Sequence, residues 1–277
     1  MTHTRRELTG LLARHGLSAS RALGQNFVVD PNTVRRVARL AGIGPGSNVV
    51  EIGAGVGSLT LALTETGASV TAVELDRHLI PALREAVAGH PVRLVEGDAM
   101  ALDWSAVLAD HARWSLVANL PYNIATPLVL DLLADVPAIE AMLVMVQREA
   151  GQRLVAGPGS RTYGIPSVKV ALRARSRIVG TVGPDVFLPR PRVESALVEI
   201  IRLVEPATTA DPERLIHLVE RAFNQRRKML RRSLADLVGP EMFATAGVDP
   251  EARPEQLAVQ DWGRLTAAVG AFGTARP

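Results

Sequence analysis

Short apolar runs alternate with longer amphipathic stretches between residues 48 and 147 of the 277-residue chain. Runs of five to seven mostly apolar residues are typical of strands that are buried on both faces of a sheet. They occupy residues 48–52, 69–74, 92–96, 115–119 and 141–147. Helical patterns lie before and between them, over residues 34–41, 59–66, 77–88 and 126–133. This alternation predicts an α/β fold in which helices cover both faces of a parallel sheet.

The pattern changes after residue 147. Residues 165–173 fit either a helix or a strand, whereas residues 176–182 and 196–203 alternate like strands. A Pro- and Thr-containing stretch at 205–211 predicts a linker, and only helical patterns follow it. We therefore predict an α/β domain over residues 1–204 and a small helical domain over residues 205–277.

The composition excludes several kinds of chemistry. The chain has no cysteine, so disulfides, thiolate nucleophiles and cysteine-bound zinc are ruled out. No run reaches the ~18 apolar residues of a membrane span, and the first 15 residues lack the apolar core of a signal peptide. We expect a soluble, cytoplasmic protein. The formal net charge of +3 is too small to identify a nucleic-acid binder.

A glycine-rich turn follows the first predicted strand. Gly53, Gly55 and Gly57 permit a tight turn and a close approach of the backbone to a ligand. Glu74 ends the second strand, 21 residues after Gly53, where a carboxylate can accept both hydroxyls of a ribose. Asp98 follows the third strand and suits an adenine amino group. The set predicts a nucleoside cofactor, and the Glu-x-Gly-x-Gly-x-Gly spacing looks like motif I of S-adenosylmethionine-dependent methyltransferases; a plain strand-to-helix turn is the alternative.

A second motif, Asn119-Leu120-Pro121-Tyr122, follows the fourth strand and is similar to the Asn-Pro-Pro-Tyr type motif of amino-methyltransferases. An exocyclic adenine amine is a poor nucleophile because its lone pair is delocalised into the ring. The Asn119 side-chain oxygen and the Leu120 carbonyl can accept its hydrogens and localise that lone pair. Tyr122 can stack on the base, and Phe187 is a candidate for the second face unless it belongs to the core. Such an in-line transfer relies on positioning and electrostatics and needs no metal.

A run of basic residues lies in the predicted helical domain. Six cations and no acid occur between residues 221 and 232, which on a helix would form a phosphate-binding face. They are Arg221, Arg226, Arg227, Lys228, Arg231 and Arg232. A merely solvated face is the alternative, and a second candidate surface carries Arg148, Arg153 and Arg161.

Four segments together carry a family resemblance. Leu23-Gly24-Gln25-Asn26-Phe27, the glycine motif, Asn-Leu-Pro-Tyr-Asn and Phe-Leu-Pro-Arg-Pro-Arg-Val-Glu-Ser occur in this order. The chain, from about residue 20 to its C-terminal helices, resembles the KsgA/RsmA family of small-subunit ribosomal RNA adenine dimethyltransferases. The resemblance implies a class I (Rossmann-like) methyltransferase domain and a helical RNA-binding domain. It also implies dimethylation of two adjacent adenosines in the 3′-terminal hairpin of 16S rRNA, with S-adenosyl-L-methionine, late in 30S subunit biogenesis.

The resemblance also assigns roles to residues. The cofactor-binding positions are Asn26, Val28, Gly53, Gly55, Glu74, Asp98 and Asn119. Tyr122 and Phe187 match adenine-stacking positions, and Asn119, Leu120 and Pro121 belong to the catalytic loop. Ala54 stands where the family often has Pro, and Val28 where Leu is frequent.

The implied partner is 16S rRNA within the 30S subunit or its precursor, and we expect a monomer. Two alternatives have the same fold. One is a macrolide-resistance methyltransferase that acts on large-subunit rRNA. The other is a non-catalytic RNA-binding assembly or transcription factor, which the intact Glu74 and Asn-Leu-Pro-Tyr motif argue against.

Overall fold

The computed structural model describes residues 2–20 and 24–273, and the chain forms two compact units. Leu23 of the N-terminal motif lies outside the described residues. The first unit comprises Met1–Gly151 and Ser176–Arg202, and the second comprises Gln152–Arg175 and Leu203–Pro277. The chain passes from the first unit to the second at residue 203, beside the predicted boundary, and residues 152–175 also belong to the second unit. That segment belongs to the helical unit because Tyr163, Val168 and Leu172 are buried in its core.

The strands match the apolar runs closely. Their bounds are β1 Phe27–Val28, β2 Asn48–Ile52, β3 Ser69–Glu74, β4 Val92–Glu96, β5 Trp114–Asn119, β6 Ile139–Gln147, β7 Ala174–Val182, β8 Phe187–Leu188 and β9 Ser195–Arg202. A seven-stranded sheet has the order β4-β3-β2-β5-β6-β9-β7, and β1 pairs with β8 in a separate two-stranded sheet.

The helices lie before, between and after these strands. Their bounds are α1 Arg5–Arg14, α2 Pro31–Leu40, α3 Ser58–Thr64, α4 Ile80–Ala86, α5 Trp104–Val107, α6 Ala125–Asp135, α7 Arg148–Leu154, α8 Ile165–Arg173, α9 Pro212–Phe223, α10 Leu230–Ser233, α11 Pro240–Ala246 and α12 Val259–Gly273. The ambiguous segment 165–173 is thus a helix. No helix in the described parts of the chain is long and apolar enough to span a membrane.

The sheet is parallel from β4 to β6 and mixed as a whole. The pairs β2·β3, β3·β4, β2·β5 and β5·β6 are parallel, whereas β6·β9 is antiparallel. The prediction of a parallel sheet is therefore correct for the five strands up to residue 147 and incomplete for the rest. Strands β3 and β4 lie on one side of β2, whereas β5 lies on its other side. A crevice forms at the carboxyl ends of parallel strands where the strand order reverses in this way.

An N-terminal helix that the pattern did not predict covers part of the first unit. Leu8, Leu11 and Leu12 of α1 are buried in a cluster with Phe27 and Val56, and Val56 belongs to the glycine-rich turn. Packing of this kind stabilises a ten-residue helix that is too short to be stable alone. Helix α1 thereby packs against the start of β1 and the glycine-rich turn.

Candidate active site

A pocket opens at the carboxyl ends of β2 to β5, entirely within the first unit. All seven residues that were predicted to bind the cofactor line it, namely Asn26, Val28, Gly53, Gly55, Glu74, Asp98 and Asn119. Leu120, Pro121 and Tyr122 line it as well, whereas Phe187 does not. The structure thus brings motifs that are almost a hundred residues apart into one site.

The glycine-rich turn requires glycine for two reasons. Gly53, Gly55 and Gly57 have φ values of 74°, 60° and 86°, in the left-handed region that side chains disfavour. A Cβ atom on Gly55 would also lie 3.0 Å from the ring of Phe27. The backbone N–H of Gly55 is therefore free to approach Glu74, and it donates to Glu74 Oε2 at 2.7 Å.

The Glu74 carboxylate is held in a fixed orientation. It is only 6% exposed, and its Oε1 accepts a second backbone hydrogen bond, from the N–H of Asp76, at 2.8 Å. Burial raises the pKa of Glu74, while the Asp76 and Gly55 N–H groups oppose that shift because they stabilise the charged form. A carboxylate oxygen can accept more than one hydrogen bond. Each oxygen therefore retains acceptor capacity for one of two neighbouring hydroxyls.

Two partly exposed apolar side chains flank the acidic residues, and the sequence analysis missed both. Leu75 is 49% exposed and Met100 is 43% exposed, and both line the pocket beside Glu74 and Asp98. Asp98 Oδ1 accepts from the N–H of Met100 at 2.9 Å. Exposed apolar residues in a concave site favour a flat heterocycle between them, with the carboxylate at its polar edge. Their positions, one and two residues after an acid that ends or follows a strand, are the signal that could have found them.

Asn119 is oriented by a hydrogen bond to the backbone. Its Nδ2 donates to the carbonyl of Asn26 at 2.9 Å. A carbonyl oxygen can only accept, so the amide nitrogen must face Asn26 and the amide oxygen must face away from it. The Oδ1 atom therefore lies as an available acceptor in the pocket. The side chain of Leu120 is buried, and its N–H donates to the carbonyl of Met145. In the described residues no N–H donates to the carbonyl of Leu120, which is therefore also available as an acceptor.

Tyr122 offers a half-buried ring to the same pocket. Its hydroxyl lies 2.9 Å from Oγ of Ser195. Burial raises the pKa of Tyr122, and the bond to Ser195 opposes the shift, so the phenol is neutral at neutral pH. The ring thus presents an uncharged face, as stacking on a base requires.

Phe187 does not provide a stacking face. It is 1% exposed, pairs with Val28 across β1·β8, and packs with Val34 and Val182 in the core of the first unit. In this structure Phe187 lies in the core, as the alternative interpretation has it, and its predicted stacking on the base has no support from the geometry. The pairing of β8 with β1 places the Phe187 side chain in the core. A strand of two residues is too short to show an alternating pattern in the sequence, so this burial could not be predicted.

The basic run is split by a turn and does not form one helical face. Helix α9 ends at Phe223 and α10 begins at Leu230. Three of the six cations have acidic partners: Arg221 contacts Asp236 at 2.6 Å, Arg231 contacts Glu251 at 3.2 Å and Arg226 contacts Glu255 at 3.7 Å. Arg227, Lys228 and Arg232 are exposed and have no ion pair within the described residues.

The three arginines of the second candidate surface are divided between the two units. Arg148 belongs to the first unit, where it pairs with Glu194 at 2.7 Å. Arg153 and Arg161 belong to the second unit. Across the described residues, no group of three or more His, Asp or Glu side chains could hold a metal ion.

The pocket is also lined by a buried carboxyl, that of Glu51. Glu51 is 2% exposed, and its Oε2 has no hydrogen-bond partner in the described part of the chain. Burial raises the pKa of Glu51 to about 8, and the neighbouring Glu74 carboxylate adds to the shift. Glu51 therefore carries a proton at neutral pH in the folded protein, because ionisation of a buried carboxyl is costly.

Because the pKa of Glu51 is raised in the folded protein, stability is expected to depend on pH. The unfolded chain loses it near pH 4.5 and the folded chain near pH 8, so the free energy of unfolding falls between these values, by up to about 1.4 kcal/mol per pH unit. Glu51→Gln should flatten that decline, as measured by urea unfolding at pH 5 and pH 8. Glu205→Gln, an exposed carboxyl in the linker, is the control and should follow the wild type. An unchanged profile for Glu51→Gln would contradict the assignment.

Comparison with known proteins gives consistent matches over most of the chain. A family model described as ribosomal RNA adenine dimethylase matches residues 16–269. A ribosomal RNA small subunit methyltransferase A of Kineococcus radiotolerans is 48% identical and covers 95% of this chain and 90% of its own length. The protein of the same name from Thermobifida fusca is 46% identical over 92% of each chain.

Two solved structures are similar over 88% of this chain. The 23S rRNA methyltransferase ErmE has a TM-score of 0.68, 26% identity and 99% of its chain covered. A dimethyladenosine transferase from Plasmodium falciparum has a TM-score of 0.75, 22% identity and 97% of its chain covered. The second comparison bears on the fold alone, and it agrees with a class I methyltransferase architecture.

Proposed function

The chain belongs to the ribosomal RNA adenine dimethylase family, and from this premise we propose that it dimethylates two adjacent adenosines in the 3′-terminal hairpin of 16S rRNA. It is an S-adenosylmethionine-dependent rRNA adenine dimethyltransferase. The observation that supports the proposal most directly is the orientation of Asn119, whose amide oxygen is left available as an acceptor beside the cofactor pocket.

The pocket fits the cofactor. Glu74 would hold the ribose hydroxyls, Asp98 the adenine amino group, and Leu75 and Met100 the faces of the adenine ring. Gly55 allows the backbone to approach a ligand closely, since it takes up a left-handed conformation that side chains disfavour and carries no Cβ to meet the Phe27 ring. When bound, S-adenosylmethionine supplies a methyl group on a positively charged sulfur, which is open to attack by an amine.

The chain contributes positioning to the transfer. Asn119 Oδ1 and the Leu120 carbonyl accept the two hydrogens of the adenine amine, which turns the nitrogen lone pair out of conjugation and towards the methyl group. Tyr122 stacks on the base and fixes its plane. Because both acceptors are held by the fold before the substrate arrives, little reorganisation is needed at the moment of reaction.

The small subunit is favoured over the large subunit as the source of the substrate. Curated relatives named for the small subunit are 46% to 48% identical to this chain, whereas the 23S rRNA methyltransferase is 26% identical. The intact Glu74 and Asn119 disfavour a non-catalytic factor, since a binding protein has no need of either arrangement. We place the reaction late in 30S biogenesis, in the cytoplasm where ribosomal particles assemble, and carried out by a monomer.

A methyl-transfer assay tests this function. Labelled S-adenosylmethionine would be supplied with unmethylated 30S particles or, separately, with large-subunit RNA, and the modified base identified by mass spectrometry. We expect dimethyladenosine in the 30S sample alone. Transfer to large-subunit RNA alone would move the protein to the resistance enzymes, and binding without transfer would indicate an assembly factor.

The three unpaired cations of the basic run are the proposed contacts to RNA phosphates. Arg227, Lys228 and Arg232 lie within six residues of one another on the turn and on α10, and they are exposed. When a cation without an acidic partner binds a phosphate, only counterions and water are displaced. A paired arginine must first break its contact with the carboxylate. We therefore narrow the predicted RNA surface to these three residues.

Neutralising these cations should weaken binding to 30S particles in a salt-dependent manner. Each phosphate contact contributes about 0.7 to 0.9 to the slope of log affinity against log salt concentration. The triple variant Arg227→Gln, Lys228→Gln, Arg232→Gln should therefore reduce the slope by about 2. The matched control is Arg221→Gln, Arg226→Gln, Arg231→Gln, which removes the same charge from the paired residues. Equal slopes for the two variants would show that pairing does not select the contact residues.

A further inference from the structure

One hydrogen bond joins the catalytic loop to a distant strand of the sheet. The hydroxyls of Tyr122 and Ser195 lie 2.9 Å apart, although the chain separates the residues by 73 positions and β6 lies between β5 and β9. Ser195 is completely buried. Within the described residues neither hydroxyl forms another hydrogen bond. Each side chain thus depends on the other for its polar contact.

The two ends of this bond differ in how firmly they are held. Ser195 is the first residue of β9, and it pairs with Gln147 in the antiparallel β6·β9 ladder, so its backbone is fixed by the sheet. Tyr122 lies in the turn between β5 and α6. The direction of its ring axis depends on the first side-chain torsion and on whatever holds the far end of the ring. The only group that the structure places at hydrogen-bond distance from that far end, among the described residues, is the Ser195 hydroxyl.

This geometry matters because the site lacks the second aromatic face that was predicted. Phe187 is in the core, so Tyr122 alone, of the two residues expected to stack, faces the pocket. A ring that stacks on a base must hold its orientation to within about 10–20° if the amine is to meet Asn119 and the Leu120 carbonyl. The phenolic oxygen lies on the extension of the Cβ–Cγ bond, so a hydrogen bond there fixes the direction of the ring's long axis and thereby where the ring lies over the base.

On the basis of the proposed function, we propose that Ser195 is a positioning residue for methyl transfer, whose hydroxyl holds the Tyr122 ring in the orientation that stacks on the target adenine. The neutral phenol suits this role, because two protonated hydroxyls can share one hydrogen bond at neutral pH. Ser195 touches no substrate in this account. It acts through Tyr122, and its effect belongs to the chemical step and not to cofactor binding.

A second buried serine, Ser167, forms its hydrogen bond with the backbone and not with a tyrosine. Ser167 is 1% exposed, and its hydroxyl donates to the backbone carbonyl of Arg153 at 2.6 Å. It belongs to the second unit and does not line the pocket. Ser167→Ala removes the same atom from an equally buried serine and is the matched control for any loss of stability.

A double-mutant cycle tests the proposal. We would measure kcat, the KM for unmethylated 30S particles and the Kd of S-adenosylmethionine for Ser195→Ala, Tyr122→Phe and the double variant. Each single variant should lose roughly tenfold in kcat, the size of one net hydrogen bond, with the Kd unchanged. The double variant should lose no more than either single one, because both remove the same bond. Ser167→Ala should keep the wild-type kcat.

Three outcomes would overturn the proposal. They are multiplicative losses in the double variant, a wild-type kcat in Tyr122→Phe, and a loss confined to thermal stability and shared with Ser167→Ala. Tyr122→Phe leaves the buried serine intact, so it decides the question even if Ser195→Ala does not fold. A wild-type protein that transfers no methyl group to the particles would instead reject the proposed function, and the role of Ser195 with it.

Discussion

Asn119→Ala is expected to lower kcat for methyl transfer by about 10²- to 10³-fold, the range seen when one preorganised hydrogen-bonding group is removed from a reaction site. The variant loses the Oδ1 acceptor, so the adenine amine keeps only the Leu120 carbonyl and its lone pair stays conjugated with the ring. The Kd of S-adenosylmethionine should change only a few-fold, because Glu74 and Asp98 remain in place. Single-turnover kinetics and calorimetry measure the two quantities separately.

The structure supplies a matched control for this variant. Asn48, at the amino end of β2, also donates from Nδ2 to a backbone carbonyl, that of Arg113, at 3.3 Å. Asn48→Ala removes the same kind of bond from the opposite edge of the sheet and should leave kcat unchanged. If Asn119→Ala retains wild-type kcat, the lone-pair argument fails. If its kcat and its cofactor affinity fall equally, Asn119 serves the cofactor and not the acceptor.

The inner strands of the α/β sheet could be predicted because they are buried on both faces. Apolar runs gave β2 and β3 with their observed bounds, and the shorter pattern of the edge strand β4 gave its bounds as well. The position of each motif after a strand then placed Glu74, Asp98 and Asn119 at one edge, since parallel strands end on the same side. The pocket therefore followed from local patterns together with one topological rule.

The features that the sequence did not predict depend on contacts between distant residues. Phe187 is drawn inward by a two-residue pairing with β1, and Ser195 meets Tyr122 across an intervening strand. The acids that neutralise half of the basic run come from beyond it, at Asp236, Glu251 and Glu255. Neither strand pairing of this length nor such ion pairs leave a periodic signal, so the choice of phosphate contacts required the fold.

Glu74→Ala is expected to weaken S-adenosylmethionine binding by about 100-fold or more. Hydrogen bonds to a charged group contribute about 1.5 to 3 kcal/mol each, and the fixed carboxylate offers one to each of two ribose hydroxyls. Two such bonds amount to at least about 3 kcal/mol, and each 1.4 kcal/mol corresponds to a factor of ten in Kd. Calorimetric titration of the protein with the cofactor measures the change. At saturating cofactor, kcat should recover to near the wild-type value, because Glu74 contacts no reacting atom.

The neighbouring strand offers the control for Glu74→Ala. Glu96 is the register partner of Glu74 across β3·β4, and its side chain is exposed. Glu96→Ala makes the same change at the same level of the sheet and should leave the Kd unaltered. A Kd that rises equally in both variants would indicate a general loss of negative charge at this edge and would remove the ribose assignment. We expect the Kd to rise in Glu74→Ala and not in Glu96→Ala, and kcat to fall in Asn119→Ala and not in Glu74→Ala at saturating cofactor. Together these results would assign cofactor binding to the end of β3 and the transfer step to the loop after β5.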